Sequence, residues 1–118
     1  MIGRLRAVVL DAPDARRLAG FYAALGGWSV QDDADDEWVT METGDGWRLA
    51  AQRSPGHVQP RWPDPAYPQQ FHLDVTVGDV DAAEAAVLKL GATSLSSGGV
   101  NWRVYADPAG KPFCLCWD

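Results

Sequence analysis

The sequence predicts an α+β fold made of two tandem modules, each a strand, a helix and then three strands. Three observations carry that expectation. Landmarks recur in order, with Asp14 and Asp79, and the pairs Leu25-Gly26 and Leu90-Gly91, standing 65 positions apart. The second half of each module repeats at an offset of 64, matching Trp38 with Trp102, Thr43 with Asp107, Gly46 with Gly110 and Leu49 with Phe113. Between the copies, residues 54–70 hold Pro55, Pro60, Pro63, Pro65 and Pro68, a density that forbids a helix or a central strand there.

Each element follows from local pattern. Leu5 to Leu10 reads as an apolar strand, and Asp14 as the N-cap of a helix over Ala15 to Leu25. Leu18, Phe21, Tyr22 and Leu25 fall at the three-and-four spacing of a buried stripe. Gly26-Gly27 then stops the helix, because glycine takes the left-handed cap cheaply. Strands follow from Trp28, over Glu37 to Glu42 and over Trp47 to Arg53, the last two joined by the turn Thr43-Gly44-Asp45-Gly46.

The second copy reads the same way. Phe71 to Val77 is a strand, Asp79 or Asp81 caps the next helix, and Gly91 ends it. Ala82, Ala85, Ala86, Leu88 and Leu90 make this helix rich in small residues and suited to close packing. Thr93 to Leu95, Trp102 to Ala106 and Lys111 to Trp117 complete the module, with a tight turn at Asp107-Pro108-Ala109-Gly110. The organisation expected is one domain, 1–118, with module one over 3–53, a linker over 54–70 and module two over 71–118. Trp62 and Tyr67 in the linker predict that it packs against the fold as a crossover.

The chain has 118 residues, 47% hydrophobic and 22% charged, enough for one compact core. Its net charge of −6 argues against a nucleic-acid partner, which needs a basic face, and no polybasic segment suits an anionic membrane. Cys114 and Cys116 are too few and too close for a disulfide framework, which points to a reducing compartment. With no apolar run resembling a leader or a membrane span, a cytoplasmic protein is expected. The acidic run Asp32, Asp33, Asp35, Asp36 and Glu37 reads as a solvated loop.

Several stretches together resemble the vicinal oxygen chelate superfamily of glyoxalases, bleomycin-resistance proteins and extradiol dioxygenases, and most of all its small actinobacterial glyoxalase-like members. They are Asp14 with Phe21-Tyr22 and Leu25-Gly26-Gly27-Trp28, then Pro68-Gln69-Gln70 before His72-Leu73-Asp74-Val75, then Asp79-Val80-Asp81-Ala82-Ala83, and finally Asp107 through Leu115. The resemblance implies that the modules form a curved eight-stranded sheet, an open barrel or cup with the helices outside and a pocket in the concavity. Metal-dependent relatives place a ligand on the first and last strand of each module. Carried over, those positions are Ala7, Ala50, His72 and Cys114, and only His72 carries the usual ligand type. No resident cofactor is therefore expected. The alternative is a divalent metal held by His72 with Cys114, Asp74 or Gln52 as unusual partners.

Strand alternation adds which side chains face the cup. His72, Asp74 and Thr76 share one face of their strand, opposite Leu73, Val75 and Val77. Cys114 and Cys116 lie opposite Phe113, Leu115 and Trp117, and Arg48, Ala50 and Gln52 lie opposite Leu49 and Ala51. The two cysteines read as small buried residues without redox chemistry. His72 reads equally as a core histidine bonded to Asp74 or as a ligand contact. Of the six tryptophans, Trp38 and Trp102 occupy equivalent repeat positions and read as structural, and Trp117 reads as core. Trp28, Trp47 and Trp62 are placed where an aromatic lines a rim or seals a dimer.

The expected function is metal-free binding of a planar or aromatic organic molecule, of the sequestration or resistance type, in a homodimer. Arg48, Gln52, His72, Asp74, Trp28, Trp47, Trp62 and Cys114 are its candidate ligand contacts. The alternative is a metal-dependent lyase, isomerase or dioxygenase of the same superfamily.

Overall fold

The computed structural model describes residues 1–96 and 98–118. It divides into two compact units, Met1–His57 and Val58–Asp118, so most of the proline-rich linker belongs with the second. Unit one runs β1 (Val8–Ala12), α1 (Ala15–Gly26), β2 (Ser29–Val30), β3 (Trp38–Glu42) and β4 (Arg48–Arg53). Unit two repeats the order as β5 (Leu73–Thr76), α2 (Val80–Lys89), β6 (Thr93–Ser96), β7 (Trp102–Ala106) and β8 (Pro112–Cys116). The α+β class and the duplicated module are as the sequence predicts. Among the described residues, no helix is long and apolar enough to cross a membrane.

Each unit holds a four-stranded sheet of the same topology, β1-β4-β3-β2 and β5-β8-β7-β6. The first strand of each module pairs in parallel with the last, and the remaining pairs are antiparallel. A parallel pair cannot be closed by a tight turn, so the helix serves as the crossover. Strand ends differ from the sequence reading. β1 begins at Val8 rather than Leu5, and β5 spans only Leu73 to Thr76, the stretch in register with Phe113 to Cys116 of β8.

The helix caps form as expected. The Asp14 carboxylate accepts from the Arg17 amide at 3.0 Å, and Gly27 closes α1 at φ 67. In the second copy it is Asp79 that caps, accepting from Ala82 at 3.1 Å, while Asp81 binds Arg103 at 3.0 Å. The Asp107 side chain organises the closing turn by accepting from the amides of Ala109 at 2.8 Å and Lys111 at 3.0 Å. The acidic loop is less free than predicted, since Asp36 pairs with Arg16 at 2.6 Å and Glu37 with Arg53 at 3.1 Å. Within the linker the Arg61 amide donates to the Tyr67 carbonyl at 2.9 Å, and the Arg61 guanidinium lies 4.6 Å from the Tyr67 ring.

The two helices are held by different forces. α1 buries Ala15, Leu18, Ala19, Phe21 and Tyr22, with Leu25 at the margin. α2 buries only Val87. The small-residue face expected to pack closely does not, because Ala82, Ala85, Ala86, Leu88 and Leu90 are exposed. At 3.6 residues per turn the inward stripe is Val80, Ala83, Glu84 and Val87 instead, and it includes a carboxylate. Glu84 accepts a short hydrogen bond from the Tyr105 hydroxyl and pairs with Arg103 at 3.1 Å. Tyr105 and Phe113, neighbours across β7 and β8 and both fully buried, stack at 5.6 Å beneath it.

That cluster titrates at both ends of the pH range. The Tyr105 hydroxyl and then Arg103 hold the Glu84 carboxyl below its ordinary value. A depressed folded pKa gives stability that is present above the unfolded value of about 4.3 and is lost as pH falls through the folded one. Burial, with Glu84 beside it, pushes Tyr105 up to about 12, so its contribution is complete below about pH 10 and lost on the alkaline side. Glu84→Gln is expected to lower the urea midpoint at pH 7, with the gap to the native chain closing below about pH 4. An equal gap at pH 7 and pH 3 would remove this account.

Candidate ligand site

The site in unit two is built from one face of its sheet. The register sets Asp74 opposite Cys114 and Thr76 opposite Cys116, and Cys116 opposite Trp102. Because strand side chains alternate, Trp102, Val104, Cys114, Cys116 and Asp74 point one way while Arg103, Tyr105, Phe113 and Leu115 point toward α2. His72 precedes β5 by one residue and continues its outward row.

Two cavities open on this face. One, of about 360 Å³, is lined by Trp62, Gln69, His72, Trp102, Pro112 and Cys114 among others. The second, of about 330 Å³, shares His72, Trp102 and Cys114 and adds Asp74, Asn101 and Cys116. Gly99 makes room for the indole of Trp102, since a side chain there would collide with the ring. Of the eight expected contacts, the structure therefore gathers His72, Asp74, Trp62 and Cys114 around these cavities.

The polar geometry is compact. His72 Nε2 lies 3.4 Å from Asp74 Oδ1, and donor atoms of His72, Asp74 and Cys114 all fall within 4.8 Å of one another. His72 and Asp74 are exposed, whereas Cys114 is buried. Burial first, then the Asp74 carboxylate, pushes the Cys114 thiol up to about 11. Cys116 is raised for the same two reasons. Both are neutral thiols at pH 7, with no activated nucleophile between them.

Unit one carries a related cavity of about 420 Å³. Its lining residues Ala7, Gln31, Trp38 and Thr40 are the repeat counterparts of His72, Ser96, Trp102 and Val104. The duplication thus extends from the backbone to the cavity, with alanine where unit two has histidine. Trp38 and Trp102, which read as structural in the sequence, line these equivalent cavities and are 39% and 43% exposed. The signal for that placement is strand alternation, which sets them opposite buried Val39 and Tyr105. Gln69 has no such signal, because the linker has no period. Arg48 lines this cavity and, with Trp47, another in unit one. Gln52 is exposed on β4, and Trp28 packs over Gly26; neither lines these cavities.

The four-ligand metal set implied by the resemblance does not fit this chain. Ala7 and Ala50 offer only methyl groups, and Ala50 is fully buried. What does fit a divalent ion is the local set His72, Asp74 and Cys114, with imidazole, carboxylate and thiolate donors. A metal there would have to displace the thiol proton.

A family model described as a glyoxalase-like domain matches residues 7–116. No curated protein matches the chain by sequence. A glyoxalase/bleomycin resistance protein/dioxygenase family enzyme from Burkholderia phytofirmans is similar in structure at 15% identity, covering 98% of each chain with a TM-score of 0.75. A genomically encoded fosfomycin resistance protein from Listeria monocytogenes aligns at 12% identity over 100% of this chain and 95% of its own, with a TM-score of 0.74. The bleomycin-binding protein of Streptomyces verticillus, in complex with copper(II)-bleomycin, aligns at 21% identity over 100% and 99%, with a TM-score of 0.59. At these identities the likeness is one of fold.

The Asp74 carboxylate is one cause of the raised Cys114 pKa, so removing its charge should free thiolate. Asp74→Asn is expected to speed alkylation of Cys114 by iodoacetamide at pH 8 about threefold, read by peptide mass spectrometry. An unchanged rate would mean that Asp74 and Cys114 do not interact.

Proposed function

The chain belongs to the glyoxalase-like domain family, and on that premise we propose that it binds a planar or aromatic organic molecule in the Trp62–Trp102 cavity of its second unit, for sequestration or resistance and without a resident metal. The observation that carries the proposal is the lining itself. Two indoles, Val104 and Pro112 make apolar walls, with Gln69, His72 and Ser96 as a few polar points. Flat apolar walls favour stacking, and a small number of polar groups fix orientation. A volume of about 360 Å³ lies in the usual range for small-molecule sites. The bleomycin-binding protein and the fosfomycin resistance protein among the similar folds support this class of activity.

A second reading, a metal-dependent lyase, isomerase or dioxygenase, is favoured by one observation, the His72, Asp74 and Cys114 cluster. A divalent metal would supply Lewis acidity there. His72 would ligate as neutral imidazole, Asp74 as carboxylate and Cys114 after losing its proton.

One titration separates the two. Bleomycin and a panel of planar natural products are added to the protein with and without EDTA, following tryptophan fluorescence. The binding reading expects saturable quenching that EDTA leaves unchanged and that Trp102→Ala weakens about tenfold. Quenching lost in EDTA, restored by zinc and abolished by His72→Ala would install the metal reading in its place. No response to any compound would remove the binding reading.

The reading also takes the working form to be a cytoplasmic homodimer. The exposed apolar side chains of Leu88 on α2 and of Leu90 at its C-cap support a self-association surface on unit two. Light scattering at micromolar concentration is expected to give twice the chain mass, and the mass of a single chain would end the dimer proposal.

A further inference from the structure

The first unit contains a second concave feature whose chemistry is unlike that of the Trp62–Trp102 cavity. It measures about 530 Å³ and is lined by Arg4, Arg6, Arg48, Trp47 and Glu42, together with residues of the β3–β4 turn. None of its lining residues belongs to unit two.

Its charge is out of keeping with the rest of the chain. The protein carries −6 overall, and most of its arginines are already matched. Arg16, Arg53 and Arg103 pair with carboxylates, and Arg61 lies over Tyr67. Arg48 is held by Glu42 at 2.7 Å, and Glu42 is the one acidic residue lining this cavity. Arg4 and Arg6 have no ion pair or side-chain hydrogen bond among the described residues. Three cations thus border one concavity against a single carboxylate that is already committed. Gathering like charges is unfavourable unless an anion offsets them, and guanidinium groups bind carboxylate or phosphate oxygens in pairs. The remaining wall is Trp47, 58% exposed, a large flat surface left in water. Its backbone is fixed by the tight turn, where Trp47 and Thr43 bond each other at 3.1 Å and 3.2 Å.

We infer that this cavity is a binding site for an organic anion carrying a planar ring, an aryl or heteroaryl phosphate or carboxylate. The anionic group sits against Arg4 and Arg6 while the ring stacks on Trp47. Arg48, kept in place by Glu42, supplies the third positive charge. The site is independent of the ligand proposed for unit two.

The probe is 1-naphthyl phosphate, titrated into the full chain by calorimetry. Arg4 and Arg6 are exposed and precede β1, so the Arg4→Gln/Arg6→Gln double variant leaves the core untouched. It is expected to bind about tenfold or more weakly, and raising salt from about 0.05 M to about 0.5 M should weaken native binding in the same direction. Uncharged 1-naphthol should bind at least about tenfold less well, and Trp47→Leu should weaken the phosphate likewise. Trp102→Ala should leave it unchanged. No binding of 1-naphthyl phosphate overturns the inference. So does native affinity in the double variant, or loss on Trp102→Ala alone, which would put the anion in the other cavity.

Discussion

Each module joins its first strand to its last in parallel, and that pairing decides which side chains can meet. In unit two it sets Asp74 beside Cys114, residues from opposite ends of the module. In unit one the same pairing sets Val9 beside Ala50. The backbone arrangement is common to both copies; the imidazole, carboxylate and thiol donors are present in unit two. A crossover that brings distant strands together makes a site possible, and the residue types then decide whether donors or methyl groups occupy it. The three-donor cluster is the product of this register, because in an antiparallel meander of the same strands Cys114 would lie far from the His72 and Asp74 row.

Much of this is legible in the sequence, for a physical reason. Caps, stops and turns are local: Asp14, Gly27, Asp79 and the Asp107 turn act within a few residues, so they can be read without knowing the fold. The alternation of side chains along a strand is also local, and it alone assigns His72 and Asp74 to one row and Cys114 to the face opposite Phe113. Strand lengths are not local. β5 stops where β8 stops pairing, and nothing in Phe71 or Val77 announces that. The inward face of α2 escapes a sequence reading because alanine and leucine invite an apolar interpretation. The contact that holds the helix is instead polar, and Arg103 and Tyr105, its partners, lie some twenty residues along the chain.

Trp102 shows the same limit in the site. Its equivalence to Trp38 argues for a structural role, and the equivalence is real: both line corresponding cavities. A repeated residue can be repeated because a repeated cavity needs it. Gln69 and Trp62 reach the cavity from a linker whose path is set by turns and packing, not by a period that composition could reveal.

The unequal anchoring of the two helices has a consequence for motion. α1 is bound by five buried side chains, so opening it exposes much apolar surface to water. α2 gives up one buried valine and a group of ionic contacts that water can largely replace. Its amide hydrogens should therefore exchange with solvent through small local openings, at a lower free energy than those of α1. The half of the chain that carries the Trp62–Trp102 cavity is then also the half whose outer layer breathes more readily.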